Sequence, residues 1–436
     1  MKGRDFTLLW SASAASQMGS MCLSAANPLL ALLLTHSPVV AGWVGAASTI
    51  PALLMHLPAG WLVDRCDRRL LMFAGQLGRL TACSLPVCAI VFDSHPTVLL
   101  ILGAFFEGIF HVLYNAAEVT AVQRVVDSAE LPSALATNEA RRHLAVMAGK
   151  PLGGFLFSLE KSFPYLVSAL SALCSIFALF AMTRKDFQPR RASGPPTGKR
   201  GAAPGTSFLG SLRVVLLSPF LRTVIVVCAI GNFLFQTVLL LLVVQAEEQH
   251  MSSTKIGLLL ATSGVGGLVG SVVAPKAGRR MREESIIKLC VMAWAVLILV
   301  VALTGHPVVG LIAWGCLSVT GGFLNVAVVK HQTTAVPEHL LGQVMGINRF
   351  VTSGAVPLGA LSAGYLIAEL RPEATAWVVL AAMVPVVAAV PYLFHPSRLL
   401  PAAAVAHLRK MIPAARYPAA VTAAPVEEAA DSVPAY

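Results

Sequence analysis

Of the 436 residues, 56% are apolar and 12% charged, and the mean hydropathy is +0.74. A soluble domain is nearer half apolar, with about a quarter of its residues charged, so this composition excludes an ordinary soluble enzyme. The net charge of +11 does not mark a nucleic-acid binder, because the basic residues sit in short loops without interleaved aromatics. The apolar runs are about twenty residues long, the length of a bilayer-spanning helix, so the expected class is an all-α polytopic membrane protein.

Twelve spans are read at 7–34, 39–62, 70–92, 97–118, 134–157, 163–183, 213–244, 256–275, 285–304, 307–329, 341–367 and 373–394. The first follows Lys2 and Arg4 and is too long for the apolar core of a signal peptide. It sets Gln17, Ser20, Ser24 and Asn27 on one face. The second and third are joined by Gly60-Trp61-Leu62-Val63-Asp64-Arg65-Cys66-Asp67-Arg68-Arg69, a charged loop that must lie outside hydrocarbon. The fourth carries Glu107, His111, Asn115 and Glu118 at spacings of four, four and three, which is one helical face, with Tyr114 beside it. The fifth holds Lys150 in a run of small residues.

The segment 184–206 carries Arg184, Lys185, Arg190, Arg191, Lys199 and Arg200 among Pro, Gly and Ser. It cannot bury a core and reads as a linker. The seventh span is overlong and is expected to begin with a surface helix near Ser207–Pro219. It offers Asn232 and Gln236, and the tenth offers Ser318 and Asn325. Asn138 and Asn348 are read as caps at helix starts. The domains are therefore a six-helix bundle over 1–183, a cytosolic linker over 184–212, a second bundle over 213–395 and a disordered cytosolic tail over 396–436.

Positive charge sets orientation. One set of loops holds Arg65, Arg68, Arg69, Arg124, Arg141, Arg142, Arg184 to Arg200, Lys276, Arg279, Arg280 and Arg282, while the opposite set holds Lys161, Lys255 and Arg371. Both termini are expected in the cytosol. The halves echo each other at an offset near 210 residues: Arg68-Arg69 with Arg279-Arg280, and Pro151-Leu152-Gly153 with Pro357-Leu358-Gly359, displaced by about a turn. Paired halves with a site between them are typical of secondary transporters. There is no phosphate-binding loop for ATP, and Gly264 to Gly270 lies inside a span, where close packing explains it. The eight cysteines show no metal-ligand spacing and read as free apolar thiols. No metal or cofactor is expected.

The order Gly-x-x-x-Asp-Arg-x-x-Arg-Arg at Gly60, Asp64, Arg65, Arg68 and Arg69 resembles the loop between helices 2 and 3 of the major facilitator superfamily. Leu57 to Arg65, Val125 to Leu131 leading to Asn138, and Gly149 to Gly154 are similar to its bacterial drug:proton antiporter-3 type, which includes macrolide efflux pumps and enterobactin-type siderophore exporters. The resemblance implies twelve transmembrane helices in two pseudo-symmetric six-helix bundles. It implies that Asp64 meets the start of helix 11 and helps lock the outward-facing state. It also implies a helix 5 motif at Gly149, Pro151, Gly153 and Gly154, although Ala145 and Lys150 replace the usual Gly and Pro. That departure counts against simple drug:proton exchange. The central cavity would be lined by helices 1, 4, 7 and 10, hence by Gln17, Ser24, Asn27, Tyr114, Asn232, Gln236, Ser318 and Asn325.

Glu107 lies near mid-helix, where relatives often place an Arg. With Lys150 at similar depth it forms a switchable pair for proton loading or substrate binding, or a static packing pair, or the charges snorkel toward lipid. His111 is a proton relay or a satisfied cavity histidine. Glu118 pairs with Arg141 or Arg142, as structure or as a gate. Lys150, Arg141 and Arg142 suit an anionic substrate.

The expected function is proton-coupled export, by alternating access, of a small amphipathic or anionic metabolite of siderophore type, or of a drug. The export direction comes from the resemblance. The alternatives are a uniporter or importer of a small nutrient, and a lysophospholipid translocase. The expected partners are a small-molecule substrate, protons and membrane lipid, with no nucleic acid. The expected state is a monomer in the bacterial inner membrane.

Overall fold

The computed structural model describes residues 4–92, 95–125, 131–182, 212, 215–216, 218–336 and 338–393. The linker and tail expected from the sequence, and most of Val125 to Leu131, lie outside the described residues. The first half is α1 (Arg4–Thr35), α2 (Pro38–Arg65), α3 (Arg68–Phe92), α4 (Pro96–Val125), α5 (Leu131–Leu159) and α6 (Phe163–Ala181). The second is α7 (Pro219–Glu248), α8 (Ser253–Leu260), α9 (Thr262–Arg280), α10 (Glu283–Thr304), α11 (Pro307–Ala335) and α12 (Glu338–Leu393).

α8 and α9 make one crossing, because Ala261 between them keeps helical angles of −66° and −22°. α12 makes two, because Arg371 breaks it at φ 63° and ψ 162°. Among the described residues the result is twelve crossings in two bundles of six. The starts of several helices follow from local chemistry. Pro38, Pro219 and Pro307 occupy the first turn, where a missing N–H costs nothing. Ser37 and Ser218 accept from Val40 N and Leu221 N, each at 3.4 Å.

Several boundaries differ from the sequence reading. α4 and α11 run several residues past the expected ends, since hydropathy marks only the part inside hydrocarbon. α7 begins at Pro219, capped by Ser218, rather than at 213. Asn138 and Asn348 lie well inside α5 and α12 rather than capping them, and both leave a buried Oδ1 without a partner.

One end of the bundle carries the α2–α3 turn and the start of α7, and is called the linker end. At the other end glycines hold the halves together. A methyl built on Gly42 of α2 would stand 2.7 Å from Ala360 O and 3.1 Å from Gly364 Cα of α12. One built on Gly257 of α8 would stand 2.7 Å from Lys150 O and 2.8 Å from Gly154 Cα of α5. These two crossings are counterparts under the internal repeat. The same holds inside each half, where Gly153 of α5 packs on Cys22 of α1 and Gly359 of α12 on Phe233 of α7. At the linker end the contacts lapse: a methyl on Gly60 or Gly346 meets nothing within 4 Å. The close backbone contacts between the halves thus lie away from the linker end.

Candidate functional site

A cavity of about 460 Å³ lies between the halves. Ser20, Ser24 and Asn27 of α1, Glu107 and His111 of α4, Lys150 of α5 and Gln236 of α7 line it, with Ser353 of α12. Each sits on a face that its helix turns inward, because polar groups facing lipid are costly.

One wall is built on a residue that the motif reading passed over. Arg79 of α3 is fully buried, and its Nε donates to Glu107 Oε1 at 3.2 Å. Its Nη1 donates to Ser16 Oγ and, at 3.3 Å, to Gln76 Oε1, while Nη2 donates to Ser16 O at 3.2 Å. Ser20 Oγ also donates to Glu107 Oε1, at 3.2 Å. Gln76 Nε2 donates to Ser16 Oγ at 2.8 Å and Ser175 Oγ at 3.1 Å. Tyr114 OH closes the network against Ser13 Oγ at 2.9 Å and Ser175 Oγ at 3.3 Å. A guanidinium with five donors is thus held by α1, α3 and α4, and only the carboxylate end reaches the cavity.

The expected Glu107–Lys150 pair is therefore corrected to Glu107–Arg79. Arg79 starts closer, on the neighbouring helix of the same bundle, and its fork is better suited than an ammonium to a buried carboxylate. Lys150 reaches the other way, across the interface. Its Nζ donates to Ser263 Oγ of α9 at 3.0 Å and sits 4.8 Å from the Trp314 ring centroid of α11. Trp314 in turn stacks on Phe235 of α7, with ring centroids 4.5 Å apart. Among the described residues Lys150 has no carboxylate partner. His111 leaves its buried Nδ1 unpartnered.

The remaining expected residues divide. Asn232, Ser318 and Asn325 line a separate pocket of about 430 Å³ inside the second half. Tyr114 lies in the network behind the wall. Gln17 and Asn115 do not line the central cavity. Glu118 takes Arg141, Nη2 to Oε1, at 2.8 Å, with both side chains buried, so Arg141 is committed to that pair. The Arg142 side chain lies outside the described residues.

At the linker end Asp64 is exposed, and among the described residues no ion pair joins it to α12. Arg65 lies 4.3 Å from the Trp61 ring centroid. Arg69 donates to Leu179 O and Phe180 O at the end of α6, which caps that helix. Arg68 is buried. In the helix 5 motif, Gly149 and Gly153 let α5 close on α1, Gly154 lets it close on α8, and Pro151 lies within the helix.

Comparison with known proteins agrees with this architecture. The chain is 28% identical over 358 residues to the multidrug efflux pump Tap of Mycolicibacterium fortuitum, covering 78% of this chain and 84% of that one. It is 24% identical over 365 residues to the enterobactin exporter EntS of Shigella flexneri, covering 81% and 83%. Its fold matches a bacterial homologue of the iron transporter ferroportin in an inward-facing state, with a TM-score of 0.68 at 16% identity over 90% of this chain and 98% of the other. A family model described as transmembrane secretion effector matches residues 1–433. Twelve crossings in two repeated bundles, a polar cavity between them and that end-to-end match show that the chain belongs to the transmembrane secretion effector family of major facilitator transporters, and is a multi-pass membrane protein.

Proposed function

We propose that this protein exports a small amphipathic anion, or a drug of that character, from the cytosol by proton-coupled alternating access. The observation that carries this reading is the uncompensated charge of the cavity. Lys150 faces it with only a hydroxyl and an indole for company, while Glu107 is already neutralised by Arg79. A cation in a low-dielectric cavity is costly without a counter-ion, and a substrate carboxylate or phenolate supplies one. Cavities of roughly 300–1,000 Å³ suit drug-sized ligands. The relatives named above are efflux proteins, which supports the outward direction. The basic loops support a linker end, and with it both termini, on the cytosolic side of a bacterial membrane, from which the cavity is loaded. Glu107 is the group that takes up the proton: protonation frees Arg79 and Ser20 from it and loosens α4 from α1 and α3. The chain works as a monomer surrounded by lipid.

The test compares small molecules in spent medium from deletion, complemented and Glu107→Gln strains, in iron-poor and iron-rich growth. An anionic metabolite that leaves the medium on deletion, accumulates in cells and returns only with Glu107 intact is the expected result. Identical media in all strains would remove the export reading.

A further inference from the structure

The pocket inside the second half is separate from the inter-half cavity, yet one residue, Phe235, lines both. Asn232 opens into the pocket, and Gln236, one turn further along α7, opens into the cavity. The pocket has a body and a head. Trp294, Ile298, Leu317 and Leu324 give it apolar walls. Arg349 of α12 gives it a charge, with the carboxamides of Asn325 and Asn348 nearby.

Three buried polar atoms of this lining have no partner: Ser318 Oγ, Gln332 Nε2 and Asn348 Oδ1. Gln332 is 1% exposed. Unsatisfied buried polar groups are uncommon in a settled fold and call for an explanation. Arg349 adds a second anomaly. It stands eleven residues into α12, roughly 16 Å along the helix from the linker end, and among the described residues it has no carboxylate partner. A permanent cation at that depth, beside the unpartnered Ser318 hydroxyl and Gln332 amide N–H, is an arrangement that an anion would satisfy.

Resting on the export reading above, we propose that this pocket is a loading station for an aromatic carboxylate or phenolate. The anionic head sits on Arg349 and the carboxamides, and the ring lies against Trp294. The substrate then passes Phe235 to the inter-half cavity, where Lys150 is the second cation. Two cationic stations, one inside the moving half and one at its boundary, let the anion advance without crossing an unscreened interval.

The experiment uses the purified full chain, with 2-naphthoate as the probe and its neutral carboxamide as the control, titrated by calorimetry. Lys150→Gln serves as the background that silences the central cation. In that background naphthoate still binds, Arg349→Gln weakens it at least tenfold, and Arg349→Lys keeps it within about threefold. Carboxamide binding does not change. Arg349 is exposed, and unchanged melting temperatures would show that the variants fold. Equal naphthoate affinity with and without Arg349, or no preference for the anion over the amide, overturns the loading station. The two readings fail separately. Intact Arg349-dependent binding with no outward flux in proteoliposomes would sink the export reading alone, while flux that ignores Arg349 would sink this proposal alone.

Discussion

The Arg79 guanidinium donates to the Glu107 carboxylate at 3.2 Å while only Glu107 touches the cavity. The carboxylate is 12% exposed and the arginine side chain 1%. The pair is asymmetric: one charge can exchange with what fills the cavity, and the other cannot leave. Removing the exchangeable member strands the fixed one. Glu107→Gln should therefore cost stability, on the order of 3–5 kcal/mol for a buried charge left without its partner, read as a lower melting temperature in detergent. Glu107→Gln with Arg79→Gln should recover much of that loss but not the pH dependence of transport. Full pH-dependent flux in the double variant would remove Glu107 from proton coupling.

Lys150 spans the interface through Ser263 and Trp314. Lys150→Met should reduce affinity for an anionic substrate about tenfold, while leaving a neutral analogue unaffected. Trp314→Leu should cost less, since it removes a ring from beside the ammonium but leaves the charge in place. Parallel affinity titrations of the two variants check this, and an equal loss for neutral and anionic ligands would contradict it.

The closed end rests on backbone contact at Gly154 and Gly257. Gly257→Leu should prise it open and shift the population toward the outward-facing state. Spin labels at the exposed Glu160 and Lys255 should then move apart. The same label distance in variant and parent would show that this crossing does not govern closure.

Glu118 and Arg141 form the second buried pair, and Arg141 Nε and Nη1 already lack partners. Glu118→Ala should destabilise by about 3–5 kcal/mol, and Glu118→Ala with Arg141→Leu by distinctly less. Thermal melts of the three proteins decide it. A double variant no better than the single would assign the loss to packing instead.

Much of this could be read from the chain. Apolar runs marked the crossings, and repeated Pro-Leu-Gly near residues 151 and 357 foretold that Gly153 and Gly359 would do the same job in each half. Pairing was harder. Spacing on α4 put Glu107 on an inward face, but nothing in one helix says which neighbour answers it. The signal was present in Arg79, a full charge inside an apolar span with Gln76 one turn before it; an intramembrane arginine always needs an explanation. The split of Asn232 from Gln236 into different cavities was not legible, because a single turn of α7 decides it through the position of Phe235. Arg69 as a cap on α6 depended on a helix more than a hundred residues away.

The glycine seal has an electrical consequence. The atoms nearest each of these glycines are backbone Cα, nitrogen and oxygen atoms. On the proposed reading, in which the cavity is loaded from the linker end, Glu107, His111 and Lys150 share that compartment's potential. The membrane voltage then falls almost wholly across the thin backbone layer beyond them. Moving one charge through 100 mV is worth about 2.3 kcal/mol, and an interior-negative voltage pushes an anion outward through that layer. On the export reading proposed above, a monovalent anion would be driven outward by the resting membrane itself, whereas a neutral cargo of the same shape would gain nothing.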